Sequence, residues 1–144
     1  MSFPQKRALV SLIATWIAAV GYAARVLRSP PDSLGQAAQM LIGAAIGLTV
    51  LMVLAHIILA IGAGTDAVRR AADPTSRKAR FAAHRNAAAI LVLGLCATGA
   101  LGLASATPLI LVQAGAAVLV LAQMTFYGSE LWFGRLVPAS PRTL

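Results

Sequence analysis

The chain has 144 residues, of which 59% are hydrophobic and 11% are charged, and its mean hydropathy is +0.81. Soluble domains carry about 25% charged residues, so this composition excludes a soluble globular domain and indicates a membrane protein. The length suits a single domain. The formal charge is +8, but most basic residues stand beside apolar runs, where orientation in a bilayer explains them, and we expect no nucleic acid partner.

Four apolar segments are long enough to cross a bilayer as helices, since a hydrocarbon core of about 30 Å requires about 20 helical residues. Between the first two segments, Pro30 and Pro31 stop one helix, and the sequence SLGQ at 33–36 matches a capping box that begins the next. The four predicted spans cover approximately residues 8–24, 37–63, 87–104 and 109–126.

The second span is longer than the membrane requires, and we expect it to tilt or to project into the cytosol. Gly62 and Gly64 are predicted to end its helix, before a basic loop at approximately residues 65–86. Within that loop Asp73 can cap a helix that begins at Pro74, because a proline at the first helical position loses no hydrogen bond. This helix should enter the third span without a break.

The third and fourth spans are joined by only four residues, SATP at 105–108, in which Thr107 can cap the helix that follows. So short a link predicts a tight antiparallel hairpin. The sequence therefore predicts an all-α fold, an integral membrane four-helix bundle in one domain, residues 1–144.

The basic residues near the ends of the spans predict the orientation of the bundle. Ten of them fall on one side, against Arg25 and Arg28 on the other, which places both termini and the basic loop in the cytoplasm. Orientation and contact with anionic headgroups explain the charge of the loop, although a docking surface for a partner is the alternative. The loop residues that would contact lipid or a partner are Arg69, Arg70, Arg77, Lys78, Arg80 and Arg85.

Small residues form stripes that can bring membrane helices together, because lipid itself provides no hydrophobic force between them. Gly43 and Gly47 form a GxxxG motif in the second span, and Gly94 and Gly102 lie on a stripe in the third. We favour packing within the chain over a dedicated dimer face, and a homodimer stays open as the alternative.

Polar side chains within the spans are the candidate site residues. His56 lies in the second span, and Gln123 in the fourth span has a similar depth, so we expect a hydrogen bond between them that joins the two helices. Gln113 is a further candidate for an intramembrane polar contact. A porphyrin or haem bound by His56 is the alternative, although no metal site is indicated, because no second ligand has suitable spacing. Glu130 follows the fourth span among aromatic residues, and we expect it in the wet interface without a buried partner.

The chain contains the run LAHIILAI at 54–61, a polar loop, the sequence DPTSRKARFAAHRNAAAILVLG at 73–94 and a closing hairpin. Together these motifs resemble those of a family of small bacterial four-span membrane proteins of unknown function. The family carries an Asp-Glu-Arg-Asp-Arg type of motif in its loop, and Asp73, Arg77 and Arg85 fall on three of its charged positions. His56 matches a histidine of the family's second span, whereas Gln123 stands where a glutamate is common. The resemblance implies the four-span fold and no particular activity.

No span has a charged residue in its central region, which disfavours an ion-coupled exporter. The sequence also shows neither a nucleophile with its base nor a phosphate-binding loop, so it gives little support for catalysis. We therefore expect a non-catalytic protein without a cofactor, an accessory or interaction subunit in a bacterial inner membrane. Its predicted partners are the lipid bilayer and either another membrane protein or a second copy. Two alternatives are a small homo-oligomeric transporter or channel, and a pigment-binding or haem-binding subunit that uses His56.

Overall fold

The computed structural model describes the backbone of residues 3–70 and 74–136 and the side chains of residues 3–62 and 77–134. It consists of four helices, α1 (Phe3–Arg28), α2 (Leu34–Arg70), α3 (Pro74–Leu103) and α4 (Pro108–Leu136). Each contains a stretch long and apolar enough to cross a membrane, with a mean hydropathy between 1.6 and 2.6. The predicted all-α four-helix bundle is confirmed.

The caps at the helix starts form as the sequence predicts. The Ser33 hydroxyl accepts a hydrogen bond from the backbone N–H of Gln36 at 3.3 Å, while Gln36 Oε1 accepts one from the N–H of Asp32 at 2.8 Å. Thr107 accepts a bond from the N–H of Ile110 at 3.4 Å. Each bond satisfies a backbone donor that a helix start or its preceding turn leaves unpaired.

Helix α2 does not end where its glycines suggested. The predicted stop at Gly62 and Gly64 is wrong, because the helix continues to Arg70 and reaches 37 residues. A glycine costs a helix only about 1 kcal/mol relative to alanine, and it ends a helix only when the chain turns there into a left-handed cap. Helix α3 begins at Pro74 and runs unbroken into the apolar segment, as predicted, while the expected cap Asp73 lies outside the described residues.

The α3–α4 link is a tight turn that closes with two backbone hydrogen bonds. The N–H of Ala106 donates to the carbonyl of Leu101 at 3.0 Å, and the N–H of Ser105 donates to that of Gly102 at 3.1 Å. This is the Schellman pattern of a helix end, which requires a left-handed residue just beyond the helix. Ser105 takes that conformation, with a φ of 64°.

The helices are not packed equally. Helices α3 and α4 form the most extensive contact, α1 packs on both α2 and α4, and α2 touches α4 only slightly. The side chains buried on α1 are small and lie on one face, at Ala8, Ser11, Ala14 and Thr15. Small side chains let membrane helices approach closely, so α1 and α4 form the centre of the bundle and α2 lies at its edge.

The glycine stripes behave differently in α3 and α2. A Cβ atom added at Gly94 would collide with the Cγ1 atom of Val118 and lie 2.6 Å from its Cγ2 atom, so this glycine allows the close approach of α4. Gly102 faces Leu111 in ordinary van der Waals contact. A Cβ at Gly43 or Gly47 would meet nothing within 4 Å, so the GxxxG motif of α2 is not covered by another helix of the described chain.

Candidate functional site

The intramembrane histidine joins α2 to α1. His56 Nε2 lies 3.0 Å from the hydroxyl oxygen of Ser11, which is 1% exposed. The predicted hydrogen bond between His56 and Gln123 is wrong, because α2 packs mainly on α1 and barely reaches α4. The next polar residue on α1, Thr15, is also buried and donates to the backbone carbonyl of Ser11 at 2.8 Å. The sequence offered only a weak signal for this contact, the pair Ser11 and Thr15 at a spacing of four.

Gln123 instead lies exposed on the outside of α4. It makes no hydrogen bond to any residue that the structure describes. The apolar stretch of α4 runs from Pro108 to Gly134, so Gln123 stands two residues from the middle of that stretch. In a bilayer, lipid tails beside such an exposed amide would neither donate nor accept a hydrogen bond.

Gln113 makes a polar contact between α1 and α4. The Tyr22 hydroxyl donates to Gln113 Oε1 at 2.7 Å, and Gln113 Nε2 is buried with no partner among the described residues. The sequence analysis identified Gln113 as a candidate polar contact and did not identify Tyr22.

A cluster of charged and polar side chains joins three helices at the end of the bundle that holds the start of α1. Glu130 of α4 is 6% exposed, and its Oε1 atom lies 3.7 Å from Arg7 Nη2 on α1 and 3.6 Å from Arg80 Nε on α3. The expectation that Glu130 needs no buried partner is therefore wrong. The starts of two helices distant in sequence, α1 and α3, converge on this carboxylate of α4, and nothing local to Glu130 signalled that convergence.

Neutral contacts surround this ion-pair cluster of Arg7, Arg80 and Glu130. Asn86 Nδ2 donates to the hydroxyl of Ser129 at 3.1 Å, and Gln5 Nε2 donates to the carbonyl of Gly134 at 2.8 Å. The rings of His84 and Phe126 pack with their centroids 4.7 Å apart. The starts of α1 and α3 and the end of α4 are thus held together, which agrees with the prediction that the N-terminus, the basic loop and the C-terminal end share one side.

The described basic residues that were predicted to contact lipid or a partner are all exposed, namely Arg77, Lys78, Arg80 and Arg85. Arg80 in addition reaches Glu130. The side chains of Arg69 and Arg70 lie outside the described residues.

The residues that could bind a metal or cofactor do not gather in one place. Within the described parts of the chain, no group of three or more His, Cys, Asp and Glu side chains could hold a metal ion. A haem or pigment bound through His56 Nε2 would have to replace the bond to Ser11, so this use of His56 stays a prediction.

In comparisons with known proteins, no protein-family model, no curated protein and no solved structure matches the chain. The resemblance to the small four-span bacterial family stays a prediction from the motifs alone.

Proposed function

We propose that the chain is a non-catalytic subunit of a bacterial inner-membrane assembly and that it binds another membrane protein through the outer face of α4. The observation that carries this proposal is the position of Gln123, a polar amide near the middle of an apolar helix, exposed and without a hydrogen bond to any described residue.

The amide of Gln123 gains most from a partner that is also a helix in the bilayer. Hydrogen bonds between polar side chains of membrane helices contribute about 0.6 to 2 kcal/mol each. A carboxamide both donates and accepts, so the matching group is a Ser, Thr, Asn, Gln or His side chain at the same depth. Lipid tails provide no such group, which favours a protein partner over the bilayer at this position.

The surroundings of Gln123 suit a helix as the partner. One and two turns away, on the same face of α4, lie Leu119 and Ala116. Leu119 is 62% exposed, and Ala116 is a small residue that lets a second backbone approach. This face, defined by Ala116, Leu119 and Gln123, is the proposed partner surface.

Neither alternative function gains support from the positions of its residues. A transporter or channel would need a continuous polar path past Gln113, Thr49 and Gln123. Gln113 is bonded between α1 and α4, whereas Thr49 is exposed on α2 and donates to its own helix at Ala45. A pigment or haem subunit would use His56, whose Nε2 atom faces Ser11.

A photo-crosslinking amino acid placed at position 123 tests the proposal in native membranes, with position 121 as the matched control. Leu121 is also exposed, at 56%, but it points away from the proposed partner surface. We expect an adduct with a second protein from position 123 and little or none from position 121. Purification in a mild detergent should retain the same protein, and Gln123→Leu should release it while Leu121→Val does not.

Two results would overturn the proposal. One is a chain that yields no adduct at position 123 and runs alone in mild detergent. The other is an adduct made only of two copies of this chain, which would make it a homodimer instead of a subunit. Because Gln123 is exposed and unbonded within the described chain, Gln123→Leu should leave thermal stability unchanged, and that measurement separates lost binding from lost folding.

A further inference from the structure

A groove with a volume of about 630 Å³ runs between α1 and α2. Its size falls in the range of about 300 to 1,000 Å³ that is typical of small-molecule sites. It lies away from the proposed partner surface on α4, and it does not depend on that proposal. Its residues come from one face of α1, including Ile17, Gly21 and Arg25, and from one face of α2 between Gln36 and Leu51.

The groove is polar at one end and apolar at the other. Tyr22, Arg25, Gln36 and Gln39 line it near the α1–α2 loop, and aliphatic side chains such as Leu51 line it deeper in the bundle. Arg25 stands three residues before the end of α1, which is also the end of its apolar stretch. From Gln39 to Leu51 the helix extends about 18 Å at 1.5 Å per residue, close to one leaflet of a hydrocarbon core that is about 30 Å thick.

The polar end has positive charge that no described acid neutralises. Of the two acids whose side chains are described, Glu130 faces Arg7 and Arg80, and Asp32 makes no ion pair with Arg25. Gln36 Oε1 is occupied by the N–H of Asp32, which leaves the amide N–H groups of its side chain as donors. A guanidinium with amide donors matches the oxygens of a phosphate.

The groove has little side-chain volume along its middle. Gly21, Gly43 and Gly47 line it, and a Cβ added at any of them would meet nothing within 4 Å. An acyl chain can therefore lie against the backbone of both helices.

We propose that this groove binds one phospholipid with an anionic headgroup, with its phosphate at Arg25 and an acyl chain along Gly43 and Gly47. The positive charge at the loop end favours a lipid of net negative charge over a zwitterionic lipid, whose own cation balances its phosphate, and the groove's length suits one acyl chain. The headgroup then lies on the side of the membrane that holds the α1–α2 loop.

The test is native mass spectrometry of the full chain, after detergent exchange with phosphatidylglycerol or phosphatidylcholine of the same acyl composition. We expect retention of one phosphatidylglycerol per chain, favoured at least about fivefold over phosphatidylcholine, since one basic residue near a headgroup is worth roughly that factor. Arg25→Gln should remove the preference. Arg28→Gln, which changes an exposed arginine one turn later that does not line the groove, should keep it.

A second pair of variants tests the apolar part of the groove. Gly47→Leu fills it and should abolish retention of both lipids, whereas Ala45→Leu, at an exposed position that does not line the groove, should change neither. Equal retention of the two lipids, an equal effect of Arg25→Gln and Arg28→Gln, or a second protein chain in the groove would each overturn the proposal. Thermal melts of all four variants show whether lost lipid reflects lost folding.

Discussion

His56 of α2 and Ser11 of α1 form a hydrogen bond of 3.0 Å between two helices of the bundle. The bond lies far along both helices from their connecting loop, so it joins α2, the helix at the edge, to the centre of the structure. Because α2 packs mainly on α1, this contact should contribute to holding α2 in place.

We expect Ser11→Ala and His56→Ala each to lower the free energy of unfolding, and the double variant to lose less than the sum of the two. The coupling energy should be about 0.6 to 2 kcal/mol, as for other polar pairs between membrane helices. Reversible unfolding in mixed detergent micelles measures it. Thr49→Ala, at an exposed position bonded only to its own helix, serves as a control, and additive losses would contradict the role assigned to the pair.

Because the carboxylate of Glu130 is buried, we expect the loss of both arginine partners to lower the unfolding free energy far more than the loss of one. Arg7 and Arg80 reach the same oxygen, so either one can compensate Glu130 in part when the other is removed. We expect the double variant Arg7→Met/Arg80→Met to lose about 3 kcal/mol or more in unfolding free energy, because it leaves a buried charge without a partner.

A third substitution separates the charge effect from lost packing. Adding Glu130→Leu to the double arginine variant should restore much of the stability, because it removes the uncompensated charge. Lys6→Met is the control for loss of positive charge, since Lys6 is exposed. If the triple variant is less stable than the double variant, the ion-pair explanation fails.

Because α3 and α4 approach closely at Gly94, we expect even a methyl group at this position to disrupt their packing. Gly94→Ala should lower the unfolding free energy by about 1 to 3 kcal/mol, because the added Cβ collides with Val118. The control is Gly99→Ala on the same helix, where a Cβ meets nothing within 4 Å and the higher helix propensity of alanine should be neutral or stabilising. Val118→Ala should relieve the cost in the Gly94→Ala background, and equal effects at Gly94 and Gly99 would refute the assignment.

The left-handed backbone of Ser105 predicts opposite effects of two substitutions. Ser105→Gly should raise the unfolding free energy by about 0.5 kcal/mol. The substitution relieves a left-handed strain of about 1 to 2 kcal/mol, which is more than the entropic cost of ordering a glycine that is flexible in the unfolded chain. Ser105→Val should lower it, since a β-branched residue tolerates a φ of 64° poorly. Ala106→Gly, the next position, should lower it slightly, and a shared gain in both glycine variants would point to general loop flexibility.

Much of the fold could be predicted from local patterns. The capping residues Ser33 and Thr107 act on the first turn of their own helices, and Pro74 begins α3 as its missing N–H suggests. The continuation of α2 past Gly62 could not be predicted in this way, because a glycine stops a helix only when the following backbone turns left-handed.

The candidate site was harder to predict, and the two polar residues that the sequence places at a similar depth show why. His56 and Gln123 were expected to meet, yet one faces Ser11 and the other faces outward. Depth along a helix follows from counting residues, whereas direction depends on how each helix is rotated and which helix lies beside it. The sequence likewise predicts an interfacial position for Glu130 without a buried partner, whereas the starts of α1 and α3 pack around it.

Composition and local signals are enough to establish four long helices, their approximate limits and the hairpin of α3 and α4, because hydrophobicity and capping act within a single helix. Only the packed bundle decides which helices lie side by side. That packing pairs His56 with Ser11, buries Glu130 and leaves the open groove beside Gly43. In a soluble helix an apolar stripe marks the face that packs. A helix surrounded by lipid is apolar on nearly every side, so its sequence carries little information about which face meets which partner.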